Sequence, residues 1–570
     1  MLETSRSSSF VPGSNLRSPS AGGAWLFLLP RLSFSRIVCV GVPSGPTLDA
    51  LCRVGSDVIL VCRDGSMLRG ARKLIRKRRC AGVRAITADD TTVNEGSADL
   101  IVVSRKEAKR LRQDETWPQI ARLLRADGVV YLETRGKPES LEGAVGGGGW
   151  LVNAGQQHFA LAPGFGEVRA AVAAGDTDTV QALKDRGLWA NAAFVGIGGR
   201  VREVPLGPIG RRLDPRWAVL SGLGVSGWLG RAPLYLRELA RDGGVDLDRY
   251  RWGMAAPGLY LSNKVLFLFF DRETGAPAYV VKVTRDGSMN GRLLNEWRAL
   301  NRLRDLGLTA HDEVPLPAFH GTPDGLAVLG ISGVSGRRFV DVDPRDATSM
   351  QARAAIGWLT ELGATTAKPV DGGPGEAASS LADLYERFQK VYTLGREHRA
   401  TLESKIEAMS GVDAPFPAVF QHGDPGAWNL LVTDAGRVAF LDWEAAEASG
   451  MPLWDVFHLM RSLATLASRA AGRDDTLKAF ADHFLTDSPS NAFLTDAAAA
   501  YCDRVGLATE LVEPIFYGCW MHRALKECTR IPPDRLDQGH YLNLLRRCLD
   551  AHEEPPLRRL FSLGASPARG

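Results

Sequence analysis

The chain lacks any long apolar run. The longest near its start, Ala24 to Pro30, falls far short of the roughly 20 residues that cross a bilayer, and Pro30 and Arg31 close it. No membrane span and no signal peptide are therefore expected. An excess of one charge is missing as well: 69 Lys and Arg against 65 Asp and Glu leave a net of +4, far from the basic footprint of a nucleic-acid binder, so no nucleic-acid partner is expected. Paired cysteines are absent too, since the eight at 39, 52, 62, 80, 502, 519, 528 and 548 form no CxxC and no zinc-site spacing. They read as reduced, mostly buried thiols of a cytoplasmic protein. No repeat recurs at solenoid periods. What is present is ordinary globular material, 45% apolar and 24% charged over 570 residues, enough for several domains.

Composition divides the chain into stretches. Residues 1–30 read as a disordered tail, because the Ser, Gly, Pro and Arg of residues 2–23 bury too little surface to offset the entropy of ordering. Between residues 31 and 165 the runs IVCVGV, DVILVC, ADLIVVS and GVVYLE alternate with helical segments, the pattern of a parallel sheet with crossover helices. Gly146 to Gly149 form a glycine run, and residues 166–245 are a connecting region with strand-like HFALA ahead of it and helix-like pieces from Asp178 and from Pro233. In 246–340, the strand candidates Lys264–Phe270 and Ala278–Thr284 are joined by DRETGAP, a hairpin turn, and a helix follows from Gly291 to Leu306. Residues 341–555 read as helical apart from a strand-rich insertion, Ala418 to Glu444, and 556–570 read as a second tail. The fold class expected is an α/β amino-terminal Rossmann-like domain plus an α+β bilobal domain whose cleft holds a ligand.

Chemistry concentrates in QHGDPGAWNLLVTDAGRVAFLDWE, residues 421–444, which reads as a loop feeding a hairpin. Asp424 lies in the loop, Asn429 five residues on, and Asp442 at the end of the second strand. Two carboxylates and an amide oxygen gathered this way suit phosphoryl transfer, which depends on positioning a nucleophile and neutralising phosphate charge with magnesium. Singly, each has a plainer explanation: Asp424 or Asn429 could form a turn, Lys282 in AYVVKVT could project to solvent, and His422 is read as structural.

HGDPGAWNLL followed by LDWE resembles the aminoglycoside phosphotransferase and choline kinase family, small-molecule relatives of the protein kinases, over roughly residues 235–550. The resemblance implies a protein-kinase-like domain using ATP and Mg2+, with Asp424 as catalytic base and Asn429 and Asp442 as metal ligands. It further implies Lys282 on the nucleotide phosphates, Glu296 as its partner, a phosphate-covering turn with Gly258, Ser262 and Asn263, and adenine held by backbone groups of Gly330, Ile331 and Ser332. Asp455 resembles a residue that braces the catalytic loop. Two departures stand out: a single glycine in the first hairpin turn, and Pro425 where relatives carry a bulky apolar residue. The acceptor implied is a small molecule with a hydroxyl group, an aminoglycoside, sugar or amino alcohol; Glu444 and Glu447 could attract a cationic one.

IVCVGVPSGPTLDAL, residues 37–51, reads as strand, glycine turn and helix, and with the runs that follow it resembles the class I methyltransferases that bind S-adenosylmethionine (SAM). Cys39, Gly41, Pro43 and Gly45 stand where that family has an acidic residue and three glycines, which argues against the cofactor's amino-group contact. Asp64 could still reach a ribose, and Asp89 or Asp90 an adenine. The helix-like stretch Arg69 to Arg84 carries eight basic residues and reads as a solvated face. Two alternatives to the phosphotransferase remain: a SAM-dependent methyltransferase whose kinase-like part binds substrate, and a non-catalytic scaffold that keeps both folds.

Overall fold

The computed structural model describes residues 19–563 except 91–92, 104–106, 108–121, 135–154, 163–167, 190–191, 198–199, 206–215, 223–229, 259, 261, 310–311 and 343–344. The glycine run 146–149, the first 18 residues and the last seven thus lie outside the described residues. The chain forms two compact units: one runs to Leu293 and includes Pro317–Gly333, and the other contains Leu294–Leu316 and the chain from Val334 onward.

In the first unit β1 (Phe34–Val40), β2 (Gly55–Cys62), β3 (Val83–Thr87), β4 (Ala98–Val103) and β5 (Leu124–Thr134) are parallel, in the order β5-β4-β1-β2-β3. Every residue of β4 is buried, as expected of a parallel strand covered on both faces. Two helices of the described residues connect these strands. α1 (Gly45–Val54) is capped by Ser44, which accepts from Thr47 N, and α2 (Gly65–Arg78) by Asp64, which accepts from Met67 N. Only Ala71 of α2 is buried, so its basic residues form the solvated face their density suggested.

Antiparallel strands then extend the same sheet. After β6 (Gly155–Ala162) and β7 (Ala170–Ala173) come α3 (Thr177–Asp185), a separate hairpin of β8 (Ala192–Ile197) and β9 (Arg200–Pro205), β10 (Arg216–Gly222) and α4 (Leu234–Asp242). β10 lies antiparallel between β5 and β6. β7 joins β6 to β11 (Arg251–Ala255), which leads through β12 (Val265–Phe270) and β13 (Pro277–Val283) to β15 (Val328–Ser332) and β14 (Pro317–Gly321). One sheet of 13 strands results, in which the stretch expected to connect two folds supplies β7 and β10. The β12–β13 hairpin turns at Asp271, whose carboxylate accepts from Glu273 N at 3.0 Å and Thr274 N at 2.8 Å.

The expected tail to residue 30 is shorter than composition suggested. Pro19–Leu28 is a 3-10 helix, Ala24 to Leu29 are buried, and Trp25 stacks on Tyr131 at 3.8 Å. The apolar run AWLFLL, too short for a membrane, covers one face of the sheet instead, and Tyr235 Oη donates to Phe27 O at 3.0 Å.

Helix α5 (Asn290–Asp305) leads into the second unit. That unit holds the small strands β16 (Gly336–Arg338), β17 (Lys368–Pro369), β18 (Pro417–Gln421), β19 (Leu430–Thr433), β20 (Val438–Phe440) and β21 (Glu447–Gly450). Around them pack α6 (Met350–Thr366), α7 (Gly373–Gln389), α8 (Arg396–Met409), α9 (Trp454–Ala470), α10 (Thr476–Phe484), α11 (Pro489–Val505), α12 (Val512–Cys528), α13 (His540–Asp550) and α14 (Pro555–Phe561). α9 and α12 are buried almost all round and form the centre of the unit. The expected tail from residue 556 is also shortened, because Leu557 and Leu560 are fully buried and Phe561 packs against Phe516 at 5.5 Å. The eight cysteines are free thiols, and among the described residues no helix is long and apolar enough to cross a membrane.

Candidate functional site

Strand β18 delivers the chain into the loop 422–429, and helix α9 fixes that loop through its backbone. Asp455, in the first turn of α9, accepts from His422 N at 2.6 Å and Gly423 N at 3.0 Å, and Ser462 Oγ accepts from Ala427 N at 2.9 Å. Burial pushes the Asp455 carboxyl up, partly opposed by His422 and these amides. His422 is fully buried; its Nδ1 accepts from Asp424 N at 3.2 Å while Nε2 faces Leu441 O at 2.8 Å, so both nitrogens serve the loop. Gly423 has φ +77, and a Cβ there would sit 2.0 Å from Ala445 O, so no other residue fits.

Asp424 leaves this loop with its two carboxylate oxygens in unequal surroundings. Oδ1 accepts from Arg523 Nη1 at 2.9 Å and lies 3.1 Å from His458 Nε2. Arg523 Nη2 also donates to Gly423 O at 3.0 Å, a fork that grips side chain and backbone together. Oδ2 has no such partner among the described residues, and the Asp424 side chain is 37% exposed. Burial works to raise the Asp424 pKa. The neighbouring His458 and the Arg523 and Lys526 charges outweigh it and hold the carboxyl well below the usual carboxylate range.

Asn429 and Asp442 are brought together by hairpin register. Leu430 opposes Phe440 in the β19–β20 ladder, and one step outward Leu441 N donates to Asn429 O at 2.8 Å. Asn429 Nδ2 donates to Asp424 O at 2.9 Å, which commits the nitrogen end of the amide and leaves its oxygen as the acceptor. Asp442 has φ 66 and ψ 63, a left-handed conformation that costs a side-chain-bearing residue about 1–2 kcal/mol. Glu296, with no exposed surface, accepts from Trp443 N at 3.3 Å, and Asn295 Nδ2 donates to Glu444 O at 3.1 Å and Ala446 O at 2.8 Å. The carboxyl half of α5 thus braces the backbone just after Asp442, a role for Glu296 that sequence reasoning did not foresee. Hard oxygen donors of this kind fit a magnesium ion, and among the described residues no cluster of three His, Cys, Asp or Glu competes for one.

The remaining expected residues lie in the other unit. Lys282 sits in β13 opposite Leu266 and Leu329 and is 6% exposed, so it points into the protein and not to solvent. Gly258, at φ +74, would bring a Cβ within 2.3 Å of Asn263 Oδ1, the atom that accepts from Tyr260 N at 2.7 Å. Gly258 and Asn263 therefore make one tight turn, with buried Ser262 beside them. Arg285, two residues past β13 and 7% exposed, donates to Pro257 O at 3.2 Å, and burial draws its pKa down to about 10. Gly330 and Ile331 belong to β15, flanked by β13 and β14, and Ser332 ends that strand opposite Tyr279.

At the amino-terminal turn, Gly41 has φ 91 and Cys39 is buried in the core, its thiol pushed up to about 12 by burial. Asp64 is occupied as the α2 cap and as the partner of Arg63 at 3.1 Å.

Five imidazoles of the second unit make its stability acid-sensitive. Burial pulls His458 and His540 down to about 3 and lowers His422, His483 and His522. In the unfolded chain each protonates near 6.5, so below that pH the unfolded state binds more protons and stability present above it is lost on acidification toward 3. The raised carboxyls of Asp455, Glu447 and Glu527 oppose this but are fewer. The thermal midpoint of the protein should fall steadily between about pH 6.5 and pH 4. A flat profile across that window would mean that these rings are not buried neutral.

The amino-terminal strands form a Rossmann-like parallel sheet, and the carboxyl-terminal part of the chain resembles a known phosphotransferase family. Residues 261–493 match the model of the phosphotransferase enzyme family. Among solved structures the chain is similar to WbdD, described as a bifunctional kinase-methyltransferase, at 11% identity over 84% of both chains with a TM-score of 0.22. A high-resolution structure of WbdD matches at 12% identity, again over 84% of each chain, with a TM-score of 0.24. A tRNA (m1A58) methyltransferase from Aquifex aeolicus matches at 13% identity over 33% of this chain and 62% of its own length, with a TM-score of 0.21. No curated protein matches the chain.

Proposed function

We propose that the protein is an ATP- and magnesium-dependent phosphotransferase that passes the γ-phosphoryl group to a hydroxyl of a small molecule. The observation that carries this reading is Asp424, ionised, with Oδ1 held and Oδ2 open, in the loop that also presents Asn429, beside which the β19–β20 hairpin returns Asp442. In this role Asp424 accepts the acceptor's proton as its oxygen attacks phosphorus. Asn429 and Asp442 hold the magnesium ion, which when bound neutralises charge on the nucleotide phosphates. Lys282 binds those phosphates, Glu296 steadies the chain beside Asp442, the Gly258–Ser262–Asn263 turn covers the phosphates, and backbone groups around Gly330, Ile331 and Ser332 take the adenine. Trp428, 54% exposed between Asp424 and Asn429, offers a wall for an organic acceptor of the sugar, amino-alcohol or aminoglycoside kind. A cationic acceptor gains little from Glu447, whose carboxylate already faces Lys526, Arg523 and Arg387.

Magnesium-dependent ATP consumption in the presence of glucose, glucosamine and ethanolamine tests the reading. Asp442→Ala should raise the magnesium concentration needed for half-maximal activity at least about tenfold, the loss of one charged metal ligand. Activity that ignores both magnesium and this substitution would count against the assignment.

The parallel strand order favours a second ligand, SAM, at the carboxyl ends of β1 and β4. Calorimetry with SAM decides it: heat that disappears in Gly41→Val supports the site, and absence of heat removes it.

A further inference from the structure

We infer that Arg523 is a positioning residue for phosphoryl transfer: from helix α12 it pins one oxygen of Asp424, the oxygen that also lies against His458 of α9, and so turns the other toward the acceptor hydroxyl. This rests on the reading of Asp424 as the base. Arg523 lies beyond the segment matched by the family model, which ends at residue 493, so the match assigns it nothing.

The geometry is that of a clamp. The Arg523 guanidinium bonds Asp424 Oδ1 at 2.9 Å and Gly423 O at 3.0 Å, which fixes side chain and backbone of neighbouring residues in one plane of donors. His458 Nε2 approaches the same Oδ1 at 3.1 Å from the opposite helix. Both side chains are 8% exposed or less, on helices buried nearly all round, so neither can swing away without opening the core. A carboxylate needs only one oxygen to accept a proton, and a base held by the other cannot rotate about its own axis. The groups that face Asp424 are Arg523 and Lys526 on α12, His458 on α9 and Tyr541 on α13. Arg461, also on α9, is spent on His540, with Nη2 and Nε2 2.6 Å apart, and lies over the Tyr541 ring at 5.0 Å. Arg523 is thus the cation that touches the base itself.

The test compares Arg523→Met and Arg523→Lys with the parent, reading magnesium-dependent ATP consumption with water as acceptor and with the best member of the hydroxyl panel. Arg523→Met should lower kcat about tenfold to a hundredfold with the KM for ATP nearly unchanged, and Arg523→Lys should restore part of it. A loss confined to kcat, with the thermal midpoint and the KM for ATP kept and part of the rate regained in Arg523→Lys, separates positioning from a purely structural role. If Arg523→Met does not fold, His458→Gln is read in the same way, since it removes the second side chain packed against Oδ1. Parental kcat in a folded Arg523→Met variant would overturn the inference. Turnover surviving in Asp424→Asn would instead overturn the reading of the base, so the two failures are distinct.

Discussion

Asp424→Asn should lose phosphoryl transfer by about a hundredfold to ten-thousandfold, the usual contribution of a positioned general base. The substitution changes one atom and removes the ability to take up a proton at Oδ2, the oxygen that no described residue engages. An amide oxygen can still accept from Arg523 Nη1, and the backbone bonds of the loop to Asp455 and Ser462 are untouched. Folding and nucleotide binding should therefore persist, so that the defect falls on kcat. Measured turnover close to the parent's, in a variant with a normal thermal midpoint and normal nucleotide affinity, would reject the base assignment outright.

Asp455→Ala should do the reverse and damage both stability and activity. Its carboxylate is the acceptor for two backbone N–H groups in the buried stretch that leads to Asp424, those of His422 and Gly423. Alanine leaves both donors without a partner where water does not reach, at about 1–3 kcal/mol each. The expected loss is about 3–5 kcal/mol, read as a drop of roughly 6–15 °C in the thermal midpoint. Asp455→Asn should fall between the two, because an amide offers one acceptor in place of two. An unfolding curve for Asp455→Ala that overlays the parent's would show that these bonds are replaceable.

Periodic or compact features of both units can be read in the amino-acid order. The runs IVCVGV, DVILVC and ADLIVV became β1, β2 and β4, because strands buried on two faces must be apolar throughout. The DRETGAP hairpin and the β19–β20 hairpin were legible for a local reason: each turn is built by its own residues, Asp271 in one and Gly436 in the other. Elements stabilised from far away were not legible. Ala170–Ala173 has no strand signature of its own and is a strand only because β6 and β11 pair with its two edges. The run Ala24 to Leu29 looks like the end of a tail until the sheet it covers is known. Arg523 reaches Asp424 across 99 positions of chain, and no spacing rule marks it among the many arginines of the helical half.

The union of the two folds in one hydrogen-bonded ladder bears on how the gene product can be dissected. A chain started near residue 246 would strip β7 from β11 and bare a row of amides and carbonyls along Arg251–Ala255. Raw strand margins recruit other strands, so such a fragment should clump, whereas one that keeps β6 and β7 has that margin covered. The strands from β11 onward are in this sense grafted onto those before them, and any split into independent pieces has to be made somewhere other than the seam suggested by motif boundaries.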